Sequence, residues 1–128
     1  MKIVKDPSSR AELTTGQSKI EISELKEMAK KMHGFFVKAI IDIEKGIMAF
    51  DAPMHSDLFE FLVNEEGSNP VNLWGINIHP DQNEENLIEF DSMMNIKPGL
   101  GNRTRGIENE EIRKKIIEIV NKIVHPVK

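Results

Sequence analysis

Residues 87–106 constrain the fold more than any other stretch, because two patterns that predict different structures meet there. The first half alternates apolar and polar residues, and this period of two predicts a half-buried β-strand. Its apolar side consists of Ile88, Phe90, Met94 and Ile96. Pro98 has no N–H to donate to a sheet, so we expect the strand to end near Ile96 and a glycine-punctuated basic loop to follow.

Two segments have the period of an amphipathic helix. Residues 24–33 place apolar side chains at the i, i+3, i+4 and i+7 positions, between Ser23 as the expected cap and Gly34 as the exit. The last helix is predicted to begin after Asn109 as its cap, with acidic residues in its first turn, where carboxylates favour the positive end of the helix dipole.

Three further elements complete the predicted fold. Residues 35–51 alternate as a β-hairpin with Gly46 in the turn, and Leu73–Ile78 reads as a third strand. A short helix is expected from about Ser56 to Gly67. Together these patterns predict an α+β domain: an antiparallel sheet of about four strands, with two long helices and one short helix packed mainly on one face.

The chain length of 128 residues suits a single domain. We expect a loosely structured polar N-terminal segment over residues 1–22, because it is rich in serine, threonine and other loop-forming residues. The single α+β domain is expected over residues 23–124, and a short tail over 125–128.

The composition excludes several functional classes. A net charge of −4 and a pI near 5.6 make non-specific binding to nucleic acid or anionic membranes unexpected. The sequence contains no cysteine, which excludes disulfides and thiolate metal sites. No apolar run approaches ~18 residues and the N-terminus has no apolar signal region, so we expect a soluble, cytoplasmic protein without a membrane partner.

The basic loop after the predicted strand carries the most pointed set of candidate ligand-binding residues. These are Lys97, Asn102, Arg103 and Arg105. Two guanidinium groups in a loop ahead of a helix N-terminus can hold a phosphate or a carboxylate, so we expect a small anionic or phosphate-bearing ligand here. The alternative is structural: the arginines would tie the loop to acidic residues such as Glu89 or Asp91 through ion pairs.

The polar sides of the predicted strands carry residues suited to metal or acid–base chemistry. If the strands are neighbours, Asp42, Glu89 and Asp91 could bind a divalent cation. His79 or His55 could then act as a general base. An antiparallel sheet with one solvated face shows the same alternation without any chemistry. We therefore expect no metal or cofactor, and His79, His55 and Asp91 are catalytic candidates only.

Several short strings resemble a known group of proteins. The more specific ones are Leu-Trp-Gly-Ile-Asn at 73–77 and Asn-Arg-x-Arg-Gly at 102–106, joined by Asp-Ile-Glu-Lys-Gly at 42–46 and Glu-Phe-Asp-Ser at 89–92. On these strings the chain resembles a family of small prokaryotic proteins known only as a domain of unknown function. The resemblance runs from about Ser23 to Val124 and implies a compact single domain, without a particular reaction or ligand.

These observations lead to one leading functional hypothesis and two alternatives. The leading hypothesis is an α+β domain that binds a small anionic ligand, or a partner, at the 97–106 loop. The first alternative is a divalent-metal-dependent hydrolase acting on phosphoesters. The second is a homo-oligomeric interaction or regulatory module, for example a homodimer that covers the second sheet face.

Overall fold

The computed structural model describes residues 2–5 and 20–125. Its strands are β1 (Lys2–Lys5), β2 (Ile20–Glu21), β3 (Val37–Asp42), β4 (Ile47–Phe50), β5 (Leu73–Ile78), β6 (Ile88–Glu89) and β7 (Val124–His125). Its helices are α1 (Ile22–Met32), α2 (His55–Glu65) and α3 (Glu110–Ile123). Strands β1, β4, β3, β5 and β6 form, in that order, one sheet whose neighbours are all antiparallel, and β2 pairs in parallel with β7.

Helices cover both faces of the main sheet. Helices α1 and α3 pack on one face through side chains such as Leu25 and Ile116. Helix α2 packs on the other face, where Leu58 and Leu62 meet Ile40. The predicted α+β class is confirmed, with five strands in the main sheet instead of about four. Two of the three helices lie on one face, as predicted, and α2 packs its apolar stripe on the other face.

Single-residue signals located several element boundaries correctly. Asn109 caps α3, since its side chain accepts hydrogen bonds from the backbone amides of the next turn. Gly34 and Gly46 adopt the left-handed φ values of +86° and +67° that their predicted exit and turn require. The predicted capping role of Ser23 is wrong, because α1 begins two residues earlier than predicted and Glu21 lies at its N-cap position.

The strand predicted to run from residue 88 to about residue 96 is wrong beyond Glu89, where β6 ends. Asn95 explains the early end, because its side chain occupies the edge of β5 that a longer strand would use. The N–H of Gly75 donates to Asn95 Oδ1 at 2.7 Å, and Asn95 Nδ2 donates to the carbonyl of Gly75 at 2.9 Å. One amide side chain therefore replaces a strand residue, and the chain continues as 3₁₀ turns, the first at Met93–Asn95.

Both ends of the described chain contribute to the fold. β1 pairs with β4 at one edge of the main sheet, and β2 pairs with β7 beside α3. β1 and β2 lie within the predicted N-terminal segment, and β7 joins the last residue of the predicted domain to the first residue of the predicted tail. Residues 1, 6–19 and 126–128 of those predictions lie outside the described residues. Among the described helices, none combines the length and the apolar character needed to cross a membrane.

Candidate functional site

A cavity of about 150 Å³ lies between the N-terminus of α2 and the segment that follows β6. Its polar lining comes from Lys38 of β3, His55 and Ser56 of α2, and Ser92 and Arg105 of the connecting segment. These residues are far apart in the sequence, and the packing of α2 on the second sheet face brings them together. The cavity therefore combines two cationic side chains, one imidazole and two hydroxyl groups.

His55 lies in the wall of this cavity and is only 7% exposed. Its Nε2 lies 2.7 Å from the carbonyl oxygen of Ile76. Because a carbonyl can only accept, Nε2 carries the proton and Nδ1 of the neutral ring carries the lone pair. Burial lowers the pKa of His55 from 6.5 to about 4, and the positive charges of Lys38 and Arg105 act in the same direction. The hydrogen bond to Ile76 and the charge of Asp91 oppose this shift.

Arg105 reaches the cavity from the loop, and Asp91 orients its guanidinium. Arg105 Nε donates to Asp91 Oδ1 at 2.7 Å. Both side chains are substantially exposed, so the ion pair contributes little to stability and serves mainly to hold the side chain in place. The carbonyl of Arg105 accepts from the N–H of Ser92 at 3.0 Å and from Asn95 Nδ2 at 2.8 Å, so the backbone that carries the guanidinium is also fixed.

The N-terminus of α2 adds a positive dipole end to the same cavity. Met54 lies at the N-cap position in an extended conformation and makes no side-chain capping bond. The N–H of Asp57 donates to the carbonyl of Met54, so the amides of His55 and Ser56 are the ones left for an external acceptor. Helix α3 differs, because the side chain of Asn109 accepts from the amides of Glu111 and Ile112. The predicted use of the α3 amides for an anion is therefore not supported by their hydrogen bonding.

Methionines form the apolar part of the cavity wall. Met54, Met93 and Met94 line it, and Met54 and Met93 are 59% and 60% exposed at its rim. Met94 instead packs against the apolar cluster beneath α2. The flexible thioether side chains can adapt to ligands of different shape.

Of the four predicted ligand-binding residues, Arg105 lines the cavity and the other three do not. Asn102 is buried, and its Nδ2 donates to the carbonyls of Asn95 and Gly106 at 2.7 and 2.8 Å while its Oδ1 accepts from the N–H of Glu108 at 2.8 Å. These bonds hold the loop in shape and occupy both ends of the amide. Asn102 is thus a structural element of the loop that presents Arg105.

Lys97 and Arg103 also lie outside the cavity that Arg105 lines. Lys97 Nζ donates to the carbonyl of Met94 at 2.9 Å and lies 5.1 Å from the centroid of the Trp74 ring, and burial lowers its pKa. The backbone N–H of Arg103 donates to Glu108 Oε2, and its guanidinium forms no ion pair with any described residue. The two arginines therefore do not share the cavity.

The three carboxylates proposed as metal ligands do not come together. Asp42 is buried in the β3–β4 turn, where its Oδ1 accepts from the amides of Glu44 and Lys45 and its Oδ2 accepts from Ser68 Oγ at 2.6 Å. Asp42 faces Leu73 across the sheet, whereas Glu89 faces Asn77. Four residues along β5 correspond to about 13 Å. The described residues contain no group of three potential protein ligands that could hold a metal ion.

His79 and Glu89 form a separate exposed pair. His79 Nε2 lies 3.0 Å from Glu89 Oε1, which also accepts from Asn77 Nδ2 at 3.1 Å. The hydrogen bonds from His79 and Asn77 lower the pKa of Glu89 below 4.5. The ring of His79 stacks on Phe36 with the centroids 5.6 Å apart. The catalytic candidates His79 and His55 are therefore parts of different surfaces.

A wider depression of about 520 Å³ lies along the other side of α2. It is lined by four carboxylates, Asp51, Asp57, Glu60 and Glu65. An anion would be repelled there, so the smaller cavity fits an anionic ligand better despite its size.

Lys38, Ser56 and Ser92 also line the cavity, although no pattern in the sequence predicts a ligand-binding role for them. One signal for Ser92 was present, namely a glycine at the centre of a predicted strand. A Cβ atom on Gly75 would lie 2.5 Å from Ser92 Cβ, so the glycine marks the place where the segment carrying Ser92 crosses the sheet.

The fold and the cavity define a class of small α+β domain with helices on both sheet faces and a cationic cavity at the N-terminus of α2. Residues 15–123 match a family described as protein of unknown function (DUF5674), and the chain belongs to this family. The resemblance inferred from the short strings is thereby confirmed. Comparisons with curated proteins and with solved structures found no match.

Proposed function

We propose that the protein binds a small anionic ligand, with a carboxylate or phosphate group, in the cavity between Lys38, His55 and Arg105. The observation that carries this proposal is that two cationic side chains, Lys38 and Arg105, line one cavity at the N-terminus of α2, which has no side-chain cap. The chain as a whole has a net charge of −4, so the positive potential is local to this cavity. A local site of this kind favours a specific ligand over general binding of polyanions.

The size of the cavity limits the ligand. A volume of about 150 Å³ is filled by about five water molecules at the liquid volume of ~30 Å³ each. This space suits a phosphate group or a short carboxylic acid. The exposed methionines Met54 and Met93 could contact an apolar extension of the ligand outside the cavity.

The prearranged position of Arg105 supports binding over a purely structural role. Its Nε is committed to Asp91, but Nη1 and Nη2 make no hydrogen bond to the described residues. These two nitrogens remain donors for a ligand oxygen. A guanidinium that is held by its Nε and by its backbone loses little conformational entropy when it binds an anion.

A ligand panel tests the proposal by the effect of anions on unfolding. Phosphate, sulfate, acetate and glycolate, at constant ionic strength, are added during thermal unfolding of the wild-type protein. An anion at 100 times its dissociation constant should raise the free energy of unfolding by about 2.7 kcal/mol. The Arg105→Gln variant should lose this stabilisation, since Gln cannot supply the charge.

Arg103→Gln is the matched control, because it removes the same charge from the same loop without touching the cavity. It should keep the ligand effect of the wild-type protein. The proposal is wrong if no anion stabilises the wild-type protein, or if both variants lose the effect equally. The metal-dependent hydrolase and the homo-oligomer stay predictions, and no contact among the described residues favours either.

A further inference from the structure

His55 gives the cavity a hydrogen-bond acceptor in addition to its cations. Since Nε2 donates to the carbonyl of Ile76, Nδ1 is the nitrogen left for a ligand, and it makes no hydrogen bond to a described residue. Lys38 and Arg105 can only donate. An anion that fills the cavity must therefore satisfy donors and one acceptor at the same time.

We infer that the cavity selects anions that carry a hydroxyl group beside their charge, and that His55 Nδ1 accepts a hydrogen bond from this hydroxyl. Monohydrogen phosphate and short hydroxy acids share this chemistry. Sulfate and simple carboxylates at neutral pH lack the hydroxyl donor. This inference deepens the proposed function and rests on it, because the cations must first attract the anion.

The environment of His55 keeps the acceptor available near neutral pH. The charged groups that face the ring are Lys38 from β3 and Asp91 and Arg105 from the segment after β6, so two positive charges oppose one negative charge. Burial lowers the pKa of His55 further, to about 4. The ring therefore presents a lone pair, and a lone pair repels an anionic oxygen that has no proton.

The serine hydroxyls do not provide this selectivity. The hydroxyls of Ser56 and Ser92 can rotate to donate or to accept, so they suit either kind of anion. The neutral ring of His55 has its donor committed to the protein and offers only an acceptor. A bound anion that covers Nδ1 without donating to it should bind about 10- to 100-fold more weakly.

Two matched pairs of ligands test the inference by calorimetry at pH 7.5 and constant ionic strength. Phosphate is compared with sulfate, and glycolate is compared with propionate, in which a methyl group replaces the hydroxyl. The wild-type protein should bind at least one hydroxyl-bearing anion about 10- to 100-fold more tightly than its counterpart. In His55→Leu the preference should fall to less than about threefold, because the acceptor is gone and sulfate is no longer repelled.

A second measurement uses the wild-type protein alone, in case His55→Leu does not fold. Sulfate stays doubly charged between pH 7 and pH 4, so its binding should become tighter as Nδ1 gains a proton and turns into a donor. Equal affinity for phosphate and sulfate, and for glycolate and propionate, would overturn the inference while leaving the proposed function intact. Absence of binding by all four anions would refute the proposed function itself.

Discussion

The contact between Gly75 and Ser92 yields a sharp prediction about the segment that carries the site. A Cβ at Gly75 would lie 2.5 Å from both Cβ and Oγ of Ser92 and 3.4 Å from Ile40 Cδ1. Carbon atoms in contact normally lie 3.5 to 4.0 Å apart. Ser92 cannot easily move away, because its N–H donates to the carbonyl of Arg105 and its carbonyl accepts from the N–H of Asn95.

Gly75→Ala should therefore destabilise the protein strongly. Overpacking of a core costs about 1–3 kcal/mol, and a clash with an atom next to the backbone belongs at the upper end. If the segment shifts to relieve the clash, the two bonds between Gly75 and Asn95 are strained or lost, at about 1 kcal/mol each. We expect a total loss of about 3–5 kcal/mol, measured by urea unfolding followed with circular dichroism.

Two further variants make this prediction specific. Gly99→Ala is the control, because no atom lies within 4 Å of the added Cβ, and it should change stability by less than about 0.5 kcal/mol. Ser92→Gly added to Gly75→Ala should recover at least about 1.5 kcal/mol, although it loses the bond from the N–H of Met94 to Ser92 Oγ. A cost below about 1 kcal/mol for Gly75→Ala, or no recovery in the double variant, would show that the segment carrying Ser92 is not held rigidly against Gly75.

Variants at two buried ionisable residues, His55 and Asp42, test the roles of these residues by chemical unfolding. Burial holds the pKa of His55 at about 4 in the folded protein, whereas its ordinary value is 6.5. Between these pH values the unfolded chain binds more protons than the folded protein. The free energy of unfolding should therefore fall by about 3 kcal/mol as the pH drops from 6.5 to 4. In His55→Gln the free energy of unfolding should not show this dependence on pH above pH 4.5. Glu89 contributes little in that range, because its pKa is lowered. An unchanged pH dependence in the variant would contradict a neutral buried ring at His55. Asp42→Ala should cost about 3 kcal/mol by orphaning two amides and the hydroxyl of Ser68, whereas Asp42→Asn should cost about 1 kcal/mol, since its amide can still accept from the turn. Equal losses in the two Asp42 variants would show that charge, and not hydrogen bonding in the turn, is what the residue provides.

Local signals in the sequence were sufficient for much of the fold. Asn109, Gly34 and Gly46 each act through their own backbone geometry or through the adjacent turn, so their roles do not depend on distant parts of the chain. The bounds of β5 were also predicted, because Pro70 before it and Pro80 after it confine a short run of buried residues.

The misassigned strand shows where local signals fail. Alternation over residues 88–96 predicts a strand only if the neighbouring strand has an unoccupied edge. Here the side chain of Asn95 takes that edge at Gly75. Nothing in the pattern distinguishes an asparagine that faces solvent from one that replaces a backbone partner. The end of the strand at Glu89 therefore cannot be predicted from the sequence alone.

The candidate site was predicted only in part for a similar reason. Arg105 and His55 were both candidates, but they belong to different hypotheses in the sequence, one for an anion and one for a metal-dependent reaction. Their meeting depends on α2 lying over β3 and β4 on the second sheet face. An apolar stripe such as that of Leu58 and Leu62 shows that a helix packs, but not on which face. A role for Lys38 in the site follows only when it is known which sheet face α2 covers.

The contacts that close the edge of the sheet also build the site. Asn95 bonds both to Gly75 on β5 and to the carbonyl of Arg105, and Ser92 both packs on Gly75 and lines the cavity. The position of the guanidinium is therefore determined by the same bonds that stabilise the end of β5. Asn102 extends this arrangement by fixing the loop through the carbonyl groups of Asn95 and Gly106. Amide side chains thus hold the loop together with the ion pair between Arg105 and Asp91, which is the structural role that the sequence suggested for the arginines. Nη1 and Nη2 of Arg105 remain available to an anion.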